Sequence, residues 1–152
     1  MYKKILVPLD GSKRAEAILP QVEDLAHCFE AKIILLNVIE PIRMYSSFQG
    51  YVPEFESIQQ KFEATIRDTE RYLKGLVGEF REKNISAKLI VEEGSVVSTI
   101  MRIAEREEAD LIAMSSHGRT GLSRVFYGSV AAGVLNQTNR PLLLIRADGA
   151  DK

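Results

Sequence analysis

The stretch Ile5-Leu6-Val7-Pro8-Leu9-Asp10-Gly11-Ser12 lies near the start of the chain and decides its fold class. Ile5 to Leu9 is a short apolar run rich in β-forming residues. It has no polar alternation, so it reads as a strand covered on both faces rather than one with a solvated side. Asp10-Gly11-Ser12 then makes a tight turn. The Ser12 hydroxyl is suited to accept an orphan amide of the next turn, which marks it as the N-cap of a helix. A buried strand passing through a tight turn into a helix is the repeating unit of an α/β chain.

The same alternation continues outward from this unit. A helix is expected from about 12 to 29, with Ala15, Ile18, Leu19, Val22, Leu25, Ala26 and Phe29 on one face and a kink at Pro20. Lys32 to Ile39 reads as a second buried strand, closed by Pro41. Residues 42–53, with Tyr45, Phe48 and Tyr51, are read as irregular, and so long a stretch inside a compact domain is usually functional or mobile. A long helix follows, from about 54 to 83. Its stripe of Phe55, Ile58, Phe62, Ile66, Thr69, Tyr72, Leu73, Leu76 and Phe80 has helical spacing and reads as a core face. Gly75 and Gly78 weaken its end. Then come a strand over 87–91, a helix over 96–106, a strand over 110–114, a helix over 129–138 and a strand from Leu142 to Ile145, the last two separated by Asn139-Arg140-Pro141. The pattern predicts a single-domain, three-layer α/β sandwich over residues 1–147, built on a five-stranded parallel sheet with right-handed crossovers, and a frayed tail over 148–152. Ligands of such sheets bind at the carboxyl ends of the strands. Those ends carry residues 8–12, 38–41 and 115–128.

Composition bounds the function. A chain of 152 residues can bury one core, and 45% hydrophobic against 27% charged residues is neither disordered nor membrane-embedded. With 20 basic and 21 acidic residues the net charge is −1, which leaves no electrostatic footprint for nucleic acid. The single cysteine, Cys28, excludes an intramolecular disulfide and a cysteine zinc site; beside Leu25 and Phe29 it is expected to be a small buried hydrophobe. The apolar run after Met-Tyr-Lys-Lys is too short for a signal sequence or membrane helix, so a cytoplasmic protein is expected.

The segment Ser115-Ser116-His117-Gly118-Arg119-Thr120-Gly121, continuing to Gly128-Ser129, carries the strongest chemical signal. It follows a buried strand and opens a helix. Its glycines let backbone amides approach a ligand, and a helix N-terminus presents unpaired amides and partial positive charge, which suit phosphate oxygens. Arg119 adds a charge-assisted contact. The plainer reading, a surface loop needing glycines only to turn, has equal weight on this chemistry alone. The segment is neither a Walker loop nor the dinucleotide fingerprint. Asp10, at a strand end, is suited to accept from a ribose hydroxyl or an adenine amino group, to hold a metal, or simply to cap the first helix. No catalytic constellation is readable: the nucleophile elbow and the H-E-x-x-H pattern are absent, His117 reads first as a loop-shaping hydrogen bonder, and His27 as an ordinary helix residue.

Ile5 to Ser12, the strand ending Asn37-Val38 and the block from Ser115 to Ser129 together resemble a universal stress protein domain, in order and over nearly the whole chain. ATP-binding members of that family carry the pattern G-x2-G-x9-G-S/T. Here Gly118, Gly128 and Ser129 match it, and Ser115 stands at the first glycine. Serine is small, and binding is expected to survive it. The resemblance implies the adenine nucleotide alpha hydrolase-like, Rossmann-like fold. It implies that Pro8 and Val38 line an adenine pocket, Val38 through its backbone, and that Asp10 contacts the nucleoside. Ser115, Ser116, His117, Gly118, Arg119, Thr120 and Gly121 would wrap ribose and phosphates, with Gly128, Ser129, Val130 and Ala131 holding phosphates from the helix start. The nucleotide would be ATP, with AMP and ADP as alternatives, and magnesium or manganese would ride on its phosphates. A homodimer through Leu142 to Ile145 and an unidentified protein partner are further implications. Three readings stay open: an ATP-binding regulator with at most slow hydrolysis, an adenylating or hydrolysing enzyme, and a nucleotide-free dimeric interaction protein. The adenylating synthetases that resemble this fold carry a Ser-Gly-Gly-x-Asp-Ser loop after the first strand, which Pro8 to Ser12 does not match.

Overall fold

The computed structural model describes residues 1–41, 55–116 and 128–147, apart from the side chains of residues 55 and 56. Five strands, β1 (Lys4–Pro8), β2 (Lys32–Ile39), β3 (Ala87–Glu93), β4 (Leu111–Ser115) and β5 (Leu142–Ile145), form one parallel sheet in the order β3-β2-β1-β4-β5. The helices are α1 (Lys13–Glu16), α2 (Leu19–Phe29), α3 (Phe55–Glu82), α4 (Val96–Arg106) and α5 (Ser129–Gln137). The expected α/β sandwich is therefore the observed one. The expected irregular stretch at 42–53 and the tail at 148–152 lie outside the described residues.

Side-chain alternation along the strands builds two cores. Ile5, Val7, Ile33 and Leu35 point to one face and pack with Ile18 and Val22 before and within α2 and with Leu73, Leu76 and Phe80 of α3. Leu6, Ile34, Leu36 and Ile112 point to the other and pack with Ile100 and Ile103 of α4 and Ala131 and Val134 of α5. Both faces are covered, which is why these strands are continuously apolar. From β1 the chain moves outward through β2 to β3. It then returns to the other side of β1 as β4, and its helices change face. The strand order thus reverses between β1 and β4, and a crevice opens at their carboxyl ends.

Three local expectations are corrected. The first helix is two helices rather than one kinked rod: α1 ends at Glu16 and α2 begins at Leu19, with Pro20 in its first turn. A proline ring clashes with the carbonyl four residues earlier, here Glu16, whereas in a first turn its missing N–H costs nothing. Cys28 is exposed, not buried. Two residues along a helix is about 200° of rotation, which turns Cys28 away from the buried Ala26. In α3 only the later part of the stripe is core: Leu73, Leu76 and Phe80 are buried, while Phe62, Ile66, Thr69 and Tyr72 are half-buried. A helix of 28 residues is about 42 Å long, well beyond the span of the strands it covers, so its first half stands above the sheet's carboxyl edge.

Strand ends shift by a residue or two from the sequence expectation. Asp110 lies before β4 rather than in it, because its carboxylate accepts from the Lys3 and Lys4 amides below β1, at 2.9 Å from Lys3 N.

Candidate functional site

A cavity of about 820 Å³ opens at the carboxyl edge, over the reversal point. Its floor and walls come from residues 8–11 at and after the end of β1, residues 36–40 at and after the end of β2, Met114 to Ser116 at the end of β4, Gly128 to Ala131 at the start of α5, and Thr65, Asp68, Thr69 and Tyr72 of α3.

On the β1 side the wall is a turn held by side chains. Gly11 has φ 83, a conformation that favours glycine. Asp10 Oδ1 accepts from the Ser12 amide at 2.9 Å and the Ser12 hydroxyl at 2.6 Å, and Ser12 Oγ accepts from the Ala15 amide at 3.1 Å. The cap of α1 is Ser12, as the sequence predicts, and one oxygen of Asp10 braces that cap rather than accepting a helix amide itself. The Leu9 amide donates to the Leu36 carbonyl at 2.8 Å, and the Leu9 carbonyl accepts from Asn37 Nδ2 at 2.9 Å. From α3, the Tyr72 hydroxyl donates to Glu16 Oε1 at 2.9 Å, while Glu16 Oε2 pairs with Lys13 at 2.9 Å. Burial first, and then this bond to Glu16, push the Tyr72 phenol well above its ordinary pKa, so it stays protonated at neutral pH.

The β4 side is held by backbone. The Ser116 amide donates to the Ile145 carbonyl at 2.8 Å, and the Ser116 carbonyl accepts from the Gly128 amide at 2.8 Å. Gly128 packs so closely that a Cβ there would lie 3.0 Å from the Ser116 carbonyl oxygen. α5 therefore begins directly against the end of β4. Its first backbone bond runs from the Ala132 amide to the Gly128 carbonyl, and the N-cap Gly128 has no side chain with which to cap it. The amides of Ser129, Val130 and Ala131 precede that bond, at the positive end of the helix dipole, beside the cavity. Chemically, this end suits an anion. The other end offers aliphatic surface and strand-edge backbone suited to a flat heterocycle.

Pro8, Asp10, Val38, Ser115, Ser116, Gly128, Ser129, Val130 and Ala131, chosen on sequence, all line this one cavity. His117, Gly118, Arg119, Thr120 and Gly121 lie outside the described residues. Ser115 is the last residue of β4, buried and paired in register with Ile145. Sequence reasoning missed Asn37 and the α3 wall. Asn37 was visible as the one polar residue inside an apolar strand. Thr69 and Tyr72 were visible as the polar members of an otherwise apolar stripe. Among the described residues no group of three or more His, Cys, Asp or Glu side chains is placed to hold a metal, and no helix is long and apolar enough to cross a membrane.

Residues 1–146 match the model of the universal stress protein family. The chain is 30% identical to a universal stress protein of Methanocaldococcus jannaschii over 96% of both chains, and superposes on its solved structure with a TM-score of 0.85 over 99% of each. It also superposes on an Arabidopsis thaliana family member solved with AMP bound, at 19% identity and a TM-score of 0.67, with 98% of this chain and 94% of that one covered. A universal stress protein in complex with cAMP aligns at 18% identity and a TM-score of 0.63 over 96% of this chain and 98% of the other. These last two likenesses are of fold.

Proposed function

This chain belongs to the universal stress protein family, and from that premise we propose that it is a regulatory protein that binds ATP across the ends of β1, β2 and β4 and the start of α5. One observation carries the reading. The cavity brings together an aliphatic, backbone-lined end at Pro8 and Val38 and an end suited to an anion at the first-turn amides of α5, whose N-cap Gly128 has no side chain to occupy them. A nucleotide has the same two ends, a flat base and a chain of phosphates, and the volume falls in the ordinary range of small-molecule sites. Relatives solved with AMP and with cAMP support adenine as the base. The segment over 117–127, with Arg119 and Gly118, would complete the phosphate end, and magnesium or manganese would arrive with the phosphates.

Binding, with at most slow hydrolysis, is supported by the bonds of Asp10 Oδ1. That oxygen is committed to holding the Ser12 turn, so it is not a ready general base. Assembly as a homodimer through β5 is supported by the character of that edge. Leu142, Leu143, Leu144 and Ile145 are all half-buried and aliphatic, whereas the opposite edge, β3, carries Lys88, Glu92 and Glu93. Charged edges resist strand addition and bare apolar ones invite it.

Mass spectrometry of small molecules released from the denatured, purified protein tests the nucleotide reading. ATP at near one per chain is the expected result. An empty protein that also gives no heat on titration with magnesium ATP would overturn it in favour of a nucleotide-free interaction protein.

A further inference from the structure

Asn37 is a buried amide in a strand of aliphatic residues, Lys32-Ile-Ile-Leu-Leu-Asn-Val-Ile39, and its position follows from the ladder around it. Backbone groups of β2 alternate in direction. The Lys32 amide donates to Lys3, and the Leu36 carbonyl accepts from Leu9, so even-numbered residues face β1. The Ile33 amide donates to Ser86 and the Ile39 carbonyl accepts from Gly94, so odd-numbered residues face β3. Val38, the next even residue, therefore turns its N–H and C=O toward β1. The paired register with β1 stops at Pro8 and Leu36, so Val38 reaches past the end of β1, where the cavity begins.

A parallel ladder continued by one more step would pair the Val38 N–H with the Leu9 carbonyl, because Leu9 N already donates to Leu36. That carbonyl instead accepts from Asn37 Nδ2, at 2.9 Å. We propose that Asn37 is a specificity-determining positioning residue: its side-chain amide satisfies Leu9 and so ends the β1–β2 ladder, leaving the Val38 N–H and C=O as an adjacent donor and acceptor for the base.

This inference rests on the nucleotide reading and deepens it. The Watson–Crick edge of adenine offers an acceptor at N1 beside a donor at N6, which complements one N–H and one C=O. The same edge of guanine offers a donor at N1 beside an acceptor at O6, the opposite order. Asn37 touches no base in this account. It acts through Leu9, by removing the competing partner of Val38. A buried carbonyl left without a donor is costly, so if the Asn37 amide were absent the Leu9 carbonyl would take the Val38 N–H.

The test is Asn37→Leu, close in size and without the donor, titrated with ATP, GTP and inorganic tripolyphosphate. The expected result is about a tenfold loss of ATP affinity, the scale of one hydrogen bond, with the ATP-over-GTP preference reduced and tripolyphosphate binding unchanged. Equal losses for ATP and tripolyphosphate would mean general loosening and would overturn the assignment, as would wild-type ATP affinity in the variant. The unaltered protein gives a second measurement that does not depend on the variant folding. Hydrogen exchange at the Val38 amide should slow when adenosine binds, and adenosine binding with unchanged exchange there would also overturn it. If the native chain bound neither ATP nor adenosine, the nucleotide reading would fail and take this inference with it, whereas native binding with an indifferent Asn37→Leu variant sinks this inference alone.

Discussion

At the β1–β2 end of the cavity side chains do the fastening, and at the β4–α5 end the backbone does. The first end depends on a carboxylate, a hydroxyl, an amide and a phenol: Asp10 on Ser12, Ser12 on Ala15, Asn37 on Leu9, Tyr72 on Glu16. The second depends on main-chain bonds from Ser116 and Gly128 and on close approach where side chains are small. The difference teaches how each end should fail. A structure tied by side chains is weakened by truncating them. One that depends on close backbone approach is weakened by adding atoms.

The largest expected effect is at the backbone end, in Gly133 of α5. A Cβ there would lie 2.7 Å from Val97 Cγ2 and 3.2 Å from Val97 Cγ1, so α5 docks on α4 through this gap. Gly133→Val should destabilise the fold by about 1–3 kcal/mol, the usual cost of overpacking. Thermal melting should show this as a fall of several degrees, and adding Val97→Ala should restore most of it. No rescue by Val97→Ala would mean the cost lies elsewhere than in that contact.

The side-chain end breaks in the opposite way. Ser12→Ala removes the hydroxyl that accepts from Ala15 and donates to Asp10, and losing such a cap costs about 1 kcal/mol. Urea denaturation should read that loss. ATP affinity should fall with it, because Asp10 and Gly11 line the cavity. A stability loss with affinity untouched would separate the turn from the site.

How much of this was legible follows the same division. The strands and the sheet class could be read because each is a local pattern, as could the Asp10 turn and the serines and glycine around α5, whereas Pro8, Val38, Val130 and Ala131 came only through the family resemblance. At the β4–α5 end the close approach of backbone was legible, since glycine and serine spacing reports it directly, although that spacing alone weighed a phosphate cradle and a plain turning loop equally. The fastening of the other end was not, because it joins residues far apart in sequence. Asn37 and Leu9 are 28 residues apart, and Tyr72 and Glu16 are 56 apart. No window reveals such pairs, although a lone Asn within β2 and a Tyr on an apolar stripe were each visible as exceptions. The break between α1 and α2 was missed for a local reason. A proline acts on the turn before it, so the helix ended at Glu16 rather than bending at Pro20.

Tyr72→Phe is a gentler break of the side-chain end, since it removes only the hydroxyl on Glu16. A cost of about 1 kcal/mol is expected for one such bond. Its pH dependence identifies it. The folded pKa of Tyr72 is raised, so its contribution is fully present below the unfolded tyrosine value, about 10, and is lost as pH rises above that. The native protein should therefore lose stability above about pH 10 more steeply than Tyr72→Phe. Parallel curves for the two proteins would show that the phenol is not held as the structure places it.

The smallest effect comes from α3 away from either end, and it bears on whether that helix belongs to one end only. Gly75 and Gly78 lie in its later half, and a Cβ at either would meet nothing within 4 Å. Glycine inside a helix costs about 0.8–1 kcal/mol relative to alanine, so Gly75→Ala and Gly78→Ala should each stabilise the protein by about that much. Among the described residues, α3 lines the cavity through Thr65, Asp68, Thr69 and Tyr72, all before these glycines. Stiffening the later half should therefore leave ATP affinity alone while melting temperature rises. If affinity changed as well, α3 would be moving as one rod with the β1–β2 end, and the side-chain fastening there would extend along the whole helix rather than stop at Tyr72.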